Sequence, residues 1–348
     1  MRRRSKQKYE RYEIDRSPFS QKPTQKDLAT LLGMTRDELR RTLNYKDTCI
    51  VKRSEEINGK VRDLAYPVGP LRVIHEKLKY HLNKIKQPEY LFSPRKGRGQ
   101  RDNAALHIDR QQYLSLDLKQ FYPSTTLAMV KNWLIKSLGM YEDVAGLLAK
   151  LATVDGVVSF GSPLTPVLVS LVHREMFNEI AHECTKRDLN YSVWVDDLTI
   201  SGDFIEGELL KKIRKTITKH GHKSHKITYR TGNKPVFITG IGVVGAHLVA
   251  PQTLHLRIKK LWEDLHDSKT LGERESVSQQ LLAQLGTLKH IVGPKSEQGR
   301  KAADQMNSLR QKRDKWRKEE VKDTNITKLA NMEETRTDDI LESHSVPW

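Results

Sequence analysis

Two stretches decide how this chain reads. One is Leu116-Asp117-Leu118-Lys119-Gln120-Phe121-Tyr122-Pro123-Ser124, and the other, further on, is Trp194-Val195-Asp196-Asp197-Leu198-Thr199-Ile200-Ser201-Gly202. Residues 113–118 alternate as a half-buried strand does, and Phe121 to Ser124 turns the chain into a helix. Residues 191–195 and 198–201 read as strands on either side of Asp196-Asp197. Carboxylates are rare beside apolar strands, because desolvating an unpaired charge is expensive. A divalent cation removes that cost: Mg²⁺ takes carboxylate oxygens and keeps positions for phosphate oxygens. Two such ions clamp the attacking and leaving oxygens of an in-line phosphoryl transfer. Taken singly, Asp196-Asp197 is an ordinary turn and Asp117 an ordinary helix cap.

The flanks place these carboxylates in a larger α+β plan. Residues 1–23 are polar and basic, with Pro18 and Pro23 as breakers, and read as a flexible arm. Thr24 caps a first short helix that Gly33 stops, and Thr35-Arg36-Asp37-Glu38 is a capping box opening a second. Residues 48–53 and 60–65 read as strands around an Asn58-Gly59 hairpin turn, and 70–85 as an amphipathic helix. Ser93 to Arg101 is a loop with four cations and two glycines, suited to phosphate. Gly161-Ser162-Pro163 leads into a long helix over 164–187; residues 209–220 form a basic helix, and 226–230 and 236–244 are strands. From Leu256 the chain is helical and basic to about Lys318, and the acidic tail 319–348 reads as disordered at its end.

Composition narrows the partner. The 348 residues carry 61 Lys+Arg against 43 Asp+Glu, a formal charge of +18. The tail from Glu319 is acidic, so the body before it is more basic still, a surplus that suits a polyanion such as nucleic acid. Two cysteines, Cys49 and Cys184, are too few for a disulfide framework or a cysteine zinc site, which fits a reducing cytoplasm. The basic start lacks the apolar run of a secretory signal, and no apolar stretch approaches the ~20 residues of a membrane span. Membrane proteins, collagens and small secreted scaffolds are thereby excluded.

The three motifs, in this order and spacing, resemble the catalytic motifs of reverse transcriptases: the strand ending in Asp117, the Gly161-Ser162-Pro163 turn, and the aromatic-x-Asp-Asp hairpin at Trp194. The similarity covers roughly residues 24–260. Within that superfamily the chain resembles bacterial retron enzymes, because Asn103-Ala104-Ala105-Leu106-His107 looks like their asparagine-alanine-x-x-histidine motif. Ile238-Thr239-Gly240 likewise looks like their valine-threonine-glycine motif, with Ile for Val.

The resemblance implies a right-hand polymerase fold. Fingers would occupy 24–112 and the palm, an antiparallel sheet packed on helices, 113–245, with 123–160 returning to the fingers. A basic helical thumb would occupy 246–318, with Arg257, Lys259 and Lys260 gripping nucleic acid. Asp117, Asp196 and Asp197 would hold two Mg²⁺ ions. Tyr122 would exclude a ribonucleotide 2′-OH, Arg62 and Lys52 would hold the incoming triphosphate, Gly161 would lie beneath the nucleotide, and Lys226 near the leaving pyrophosphate.

The implied reaction is reverse transcription of a cognate noncoding RNA (msr-msd), primed by an internal guanosine 2′-OH. It would use dNTPs to make branched multicopy single-stranded DNA (msDNA), in anti-phage defence with a separate effector protein. Two departures stand near the nucleotide: Phe160 where the family usually has Gln, and Trp194 where it usually has Tyr. A diversity-generating or abortive-infection reverse transcriptase, or a catalytically idle RNA-binding scaffold, are the alternative readings.

Overall fold

The computed structural model of this chain describes residues 10–57, 59–232 and 234–342. The first basic residues, Asn58 of the expected hairpin turn and the end of the acidic tail lie outside them. The chain divides into two compact units between Thr239 and Gly240, ahead of the boundary expected at 245.

In the first unit, α1 (Gln25–Leu32) and α2 (Arg36–Asn44) each open on a capping box, Thr24 with Asp27 and Thr35 with Glu38. These reciprocal bonds satisfy amides that a helix start leaves orphaned. β1 (Ile50–Ile57) and β2 (Lys60–Pro67) form an antiparallel ribbon, followed by α3 (Gly69–Leu82). Then come β3 (Leu91–Ser93), α4 (Gln100–Ala105), β4 (Gln112–Leu118), α5 (Phe121–Ser124), α6 (Leu127–Leu138) and α7 (Glu142–Ala152). The unit continues with α8 (Thr165–Val172), α9 (Arg174–Thr185), β5 (Asn190–Trp194), β6 (Asp197–Gly202), α10 (Gly207–Lys219), β7 (Ser224–Thr231) and β8 (Val236–Ile238).

The central sheet has the order β3-β5-β6-β4-β7 and is antiparallel except at one edge, where β3 runs parallel to β5. Side chains alternate across a strand, so one face of β4 carries Leu114, Leu116 and Leu118. Register pairs Leu116 with Leu198 and Leu114 with Ile200. All five are buried in one core with Phe177 and Ile180 of α9 and Leu209, Ile213 and Ile217 of α10. Truncating one such Leu to Ala costs about 2–5 kcal/mol. The helices therefore claim the apolar face, and Asp117 and Asp197 are left together on the other.

In the second unit, β9 (Ile241–Val244) pairs antiparallel with β10 (His247–Val249). The helices α11 (Gln252–Asp267), α12 (Leu271–Val292) and α13 (Glu297–Glu342) follow, and α12 packs against both of its neighbours. Leu254, Ile258, Leu281, Leu285 and Leu309 form its buried side, while Arg257, Lys259 and Lys260 are exposed.

Several expectations need correction. Residues 10–23 are not a free arm: the Tyr12 and Lys86 amides donate to Lys84 and Tyr12 carbonyls, and Phe19 is fully buried. Two aromatic anchors in a polar stretch outweigh its composition. The tail is helical as far as Glu342 rather than disordered, since 319–342 contains neither Gly nor Pro. The helix over 164–187 is two helices parted at His173, whose ring bonds the Thr125 hydroxyl at 2.9 Å. The strand over 236–244 is interrupted by Thr239 and Gly240, at φ 48 and 84.

Candidate active site

The hairpin between β5 and β6 turns in two residues, with Trp194 paired to Asp197 across the loop. Val195 takes φ 61 to make that turn, a conformation that costs a β-branched residue on the order of 1–3 kcal/mol. Neighbouring backbone holds it there: the Val195 amide donates to the Ser93 carbonyl at 3.1 Å, and the Leu118 amide to the Asp196 carbonyl at 3.0 Å. Cross-strand register sets Asp117 opposite Asp197 on one side and opposite His225 on the other. Directly opposed residues have Cβ atoms about 4.5–5.5 Å apart. Asp117 and the Asp196-Asp197 pair, distant in sequence, thus share one end of the sheet's central strands.

Their electrostatics are unfavourable to the bare protein. Lost solvent, then the charges of Asp197 and Asp117, push Asp196 up to about 6. Asp197 is exposed, yet crowding by protein and the Asp117 charge raise it too, against the pull of Lys226 and His225. The Lys226 ammonium is hydrogen-bonded to Asp117 Oδ2, which raises the lysine, and His225 Nε2 lies 3.7 Å from the same oxygen. The other oxygen, Oδ1 of Asp117, is buried with no hydrogen-bond partner. Among the described residues no group of three His, Cys, Asp or Glu side chains is arranged to hold a metal ion. What the carboxylates offer a cation is excess negative charge and one orphaned oxygen, with the Lys226 ammonium standing where positive charge is needed.

Tyr122 lies beside this end. Burial first, and then the Asp196 charge, push its hydroxyl up to about 12, with Arg62 opposing. Its ring meets Phe160 at 4.8 Å between centroids, and the Arg62 guanidinium lies 5.1 Å from the Phe160 ring centre. Gly161 has φ 96, and a Cβ there would sit 3.2 Å from the Ala65 carbonyl oxygen. The position therefore needs glycine for its conformation and for close approach to β2. Lys52 is turned to Asp155, at 2.7 Å between two exposed side chains, and so is not grouped with Arg62.

Asn103 and His107 are buried, at 1% and 0% exposure, so neither side chain is placed to touch RNA. His107 instead bonds Ser201 at 2.7 Å and Ser192 at 2.8 Å, and Asn190 donates to the Leu106 carbonyl. The His107 ring thus bonds to β6 near the end opposite the one that carries Asp197. Ile238 is buried, and the Thr239 hydroxyl reaches the Gln100 carbonyl at 3.5 Å. The two motif segments therefore meet, with α4 against β8. His225, the Val195 strain and the Arg62–Phe160–Tyr122 stack were not read from the sequence. Only the neighbour of Lys226 and the aromatic at 160 offered a signal.

Comparison with known proteins identifies the family. Residues 50–240, more than half of the chain, match the reverse transcriptase (RNA-dependent DNA polymerase) family. Retron Mx65 reverse transcriptase of Myxococcus xanthus is 29% identical over 221 residues, 55% of this chain and 50% of that protein. Retron Se72 reverse transcriptase of Salmonella heidelberg is 28% identical over 182 residues, 51% and 47% of the two chains. Retron Ec86 reverse transcriptase of Escherichia coli is 28% identical over 158 residues, 45% and 48%. The chain spans about half the length of these curated relatives. A solved telomerase from Candida albicans, in complex with a fragment of telomeric RNA, overlaps at TM-score 0.43 and 9% identity, covering 70% of this chain and 56% of its own. The chain belongs to the reverse transcriptase family, and its likeness within that family is to the retron type.

Proposed function

We propose that this chain is an RNA-directed DNA polymerase of a retron, extending a primer hydroxyl with deoxynucleotides on an RNA template. The observation that carries the reading is the placement of Asp117 opposite Asp197, beside Asp196, at one end of the sheet's central strands with Tyr122 and Arg62 close by. Two Mg²⁺ ions held by the three aspartates would supply the charge that activates the primer hydroxyl and stabilises the leaving pyrophosphate. Lys226 holds Asp117 until then and is afterwards free to meet phosphate. Arg62, which makes no ion pair among the described residues, binds the triphosphate through its planar donors. Tyr122 places its ring where a 2′-OH would sit. Exposed Arg257, Lys259 and Lys260 take duplex backbone.

The finer reading is that the template is a structured noncoding RNA, primed from a guanosine 2′-OH to give branched msDNA, with a separate effector protein in anti-phage defence. No helix among the described residues is long and apolar enough to cross a membrane, and the proposed setting is the bacterial cytoplasm. The double variant Asp196→Asn with Asp197→Asn should make no DNA while retaining copurifying RNA; product at the wild-type level refutes the assignment. Sequencing the copurified nucleic acid should find DNA joined to RNA through a 2′,5′ branch, and linear DNA alone refutes the retron part.

A further inference from the structure

We propose that Phe160 is a positioning residue for nucleotide selection, its ring setting Arg62 and Tyr122 so that triphosphate and sugar are read together. This rests on the polymerase reading above. The ring lies between the two groups, with the Arg62 guanidinium 5.1 Å from its centre and the Tyr122 ring at 4.8 Å and 54°. Arg62 has no ion-pair partner among the described residues, while Lys52, on the neighbouring strand, is paired with Asp155. The Phe160 ring face is thus the contact that orients the Arg62 guanidinium. An aromatic face attracts a guanidinium by its quadrupole and leaves the N–H edge directed outward.

The backbone supports the same arrangement. The Phe160 carbonyl accepts the Ala65 amide at 2.8 Å, a bridge joins Leu64 to Phe160, and a Cβ on Gly161 would sit a tight 3.2 Å from the Ala65 carbonyl oxygen. The strand carrying Arg62 is clamped to the residue whose ring it meets. A Gln at 160 would offer an amide end in place of that face. Phe160 therefore replaces a hydrogen-bonding group with a stack, and the stack reaches both the phosphate-binding and the sugar-reading side chain.

Single-nucleotide extension by the full chain, on an RNA template with a DNA primer, tests this. Phe160→Leu keeps apolar bulk and removes the ring face. It should raise the dNTP KM about three- to fivefold, the size of a partly desolvated cation–π contact. It should also increase rNTP incorporation and leave kcat within about twofold. Phe160→Tyr should restore both properties. In an Arg62→Gln background the KM effect of Phe160→Leu should vanish. An unchanged KM, a loss confined to kcat, or additive effects in the double variant would overturn the proposal. A Phe160→Tyr protein that folds but selects nucleotides no better than Phe160→Leu would overturn it too. A wild-type chain that incorporates nothing overturns the polymerase reading and this one with it.

Discussion

Replacing Asp196 with Asn should stabilise the metal-free protein while abolishing DNA synthesis. Asp196 is pushed up from 3.8 to about 6, first by lost solvent and then by the Asp197 and Asp117 charges. Keeping it ionised near pH 7 therefore costs the fold about 3 kcal/mol against the unfolded chain. That value already contains the opposing pull of Lys226; Asp196 is only half-buried, so solvent screens part of the cost and a net gain of about 1–2 kcal/mol is expected. Asn preserves the shape and leaves untouched the backbone bond from the Leu118 amide to the Asp196 carbonyl. Hydrogen exchange of peptides spanning β4, β5 and β6 reads the effect locally, which matters in a chain of two units that need not melt together. In EDTA at neutral pH the variant should exchange about five- to thirtyfold more slowly there. Mg²⁺ should slow exchange in the wild type and much less in the variant. The folded state keeps this proton up to higher pH than the unfolded chain, so the wild-type penalty grows between pH 3.8 and about 6 and is absent below. Equal or faster exchange of the variant in EDTA would show that the three carboxylates do not oppose one another, and the cation-dependent site would lose its physical basis.

Tyr122→Ala should raise rNTP incorporation relative to dNTP by about tenfold or more in single-nucleotide extension; an unchanged ratio removes Tyr122 from sugar discrimination. Gly161→Ala should lower stability by about 1–3 kcal/mol and raise the dNTP KM, because φ 96 strains a residue with a Cβ and that Cβ, 3.2 Å from the Ala65 carbonyl, presses on the strand that carries Arg62; urea melts and steady-state kinetics measure both. The protein should be acid-labile. Burial lowers His75 to about 4, His107 to about 3, His222 to about 4 and His173 well below the usual 6.5. Their contribution is intact above pH 6.5 and falls below it, as the unfolded chain takes protons the folded one refuses. At about 2 kcal/mol each by pH 5, the four approach the whole stability of a typical domain. A circular dichroism signal and melting temperature unchanged from pH 7 to 4.5 would contradict this.

What the sequence made legible was local. Thr24 and Thr35 announce their helices because a capping box is complete within four residues. Gly33 ends α1 at φ 74 because a left-handed cap needs no distant partner. Asp117 was legible through alternation: it falls between Leu116 and Leu118, so the two-residue period puts it on the face opposite Leu114, Leu116 and Leu118. Burial of His107 was not legible, because it depends on Ser192 and Ser201, which join its surroundings only when β5 and β6 pair. The same holds for Phe19 in its polar stretch and for Lys226, whose partner Asp117 is a strand pairing away.

Phe160 shows why a departure from a motif is hard to value from the chain alone. Read along the sequence, it is a departure from the family's usual Gln near the nucleotide, one that bears on fidelity, nucleotide preference or rate without saying which. Placed in the fold, the ring contacts Arg62 and Tyr122 at once, through an apolar face where an amide would offer a donor and an acceptor. The carbonyl of the same residue also ties down the strand that brings Arg62. The substitution therefore changes the kind of contact without emptying the position. Its effect should appear in which nucleotide is chosen more than in how fast the bond forms, because Asp117 and Asp197 lie on β4 and β6 and Asp196 in the turn before β6, none of which the ring contacts.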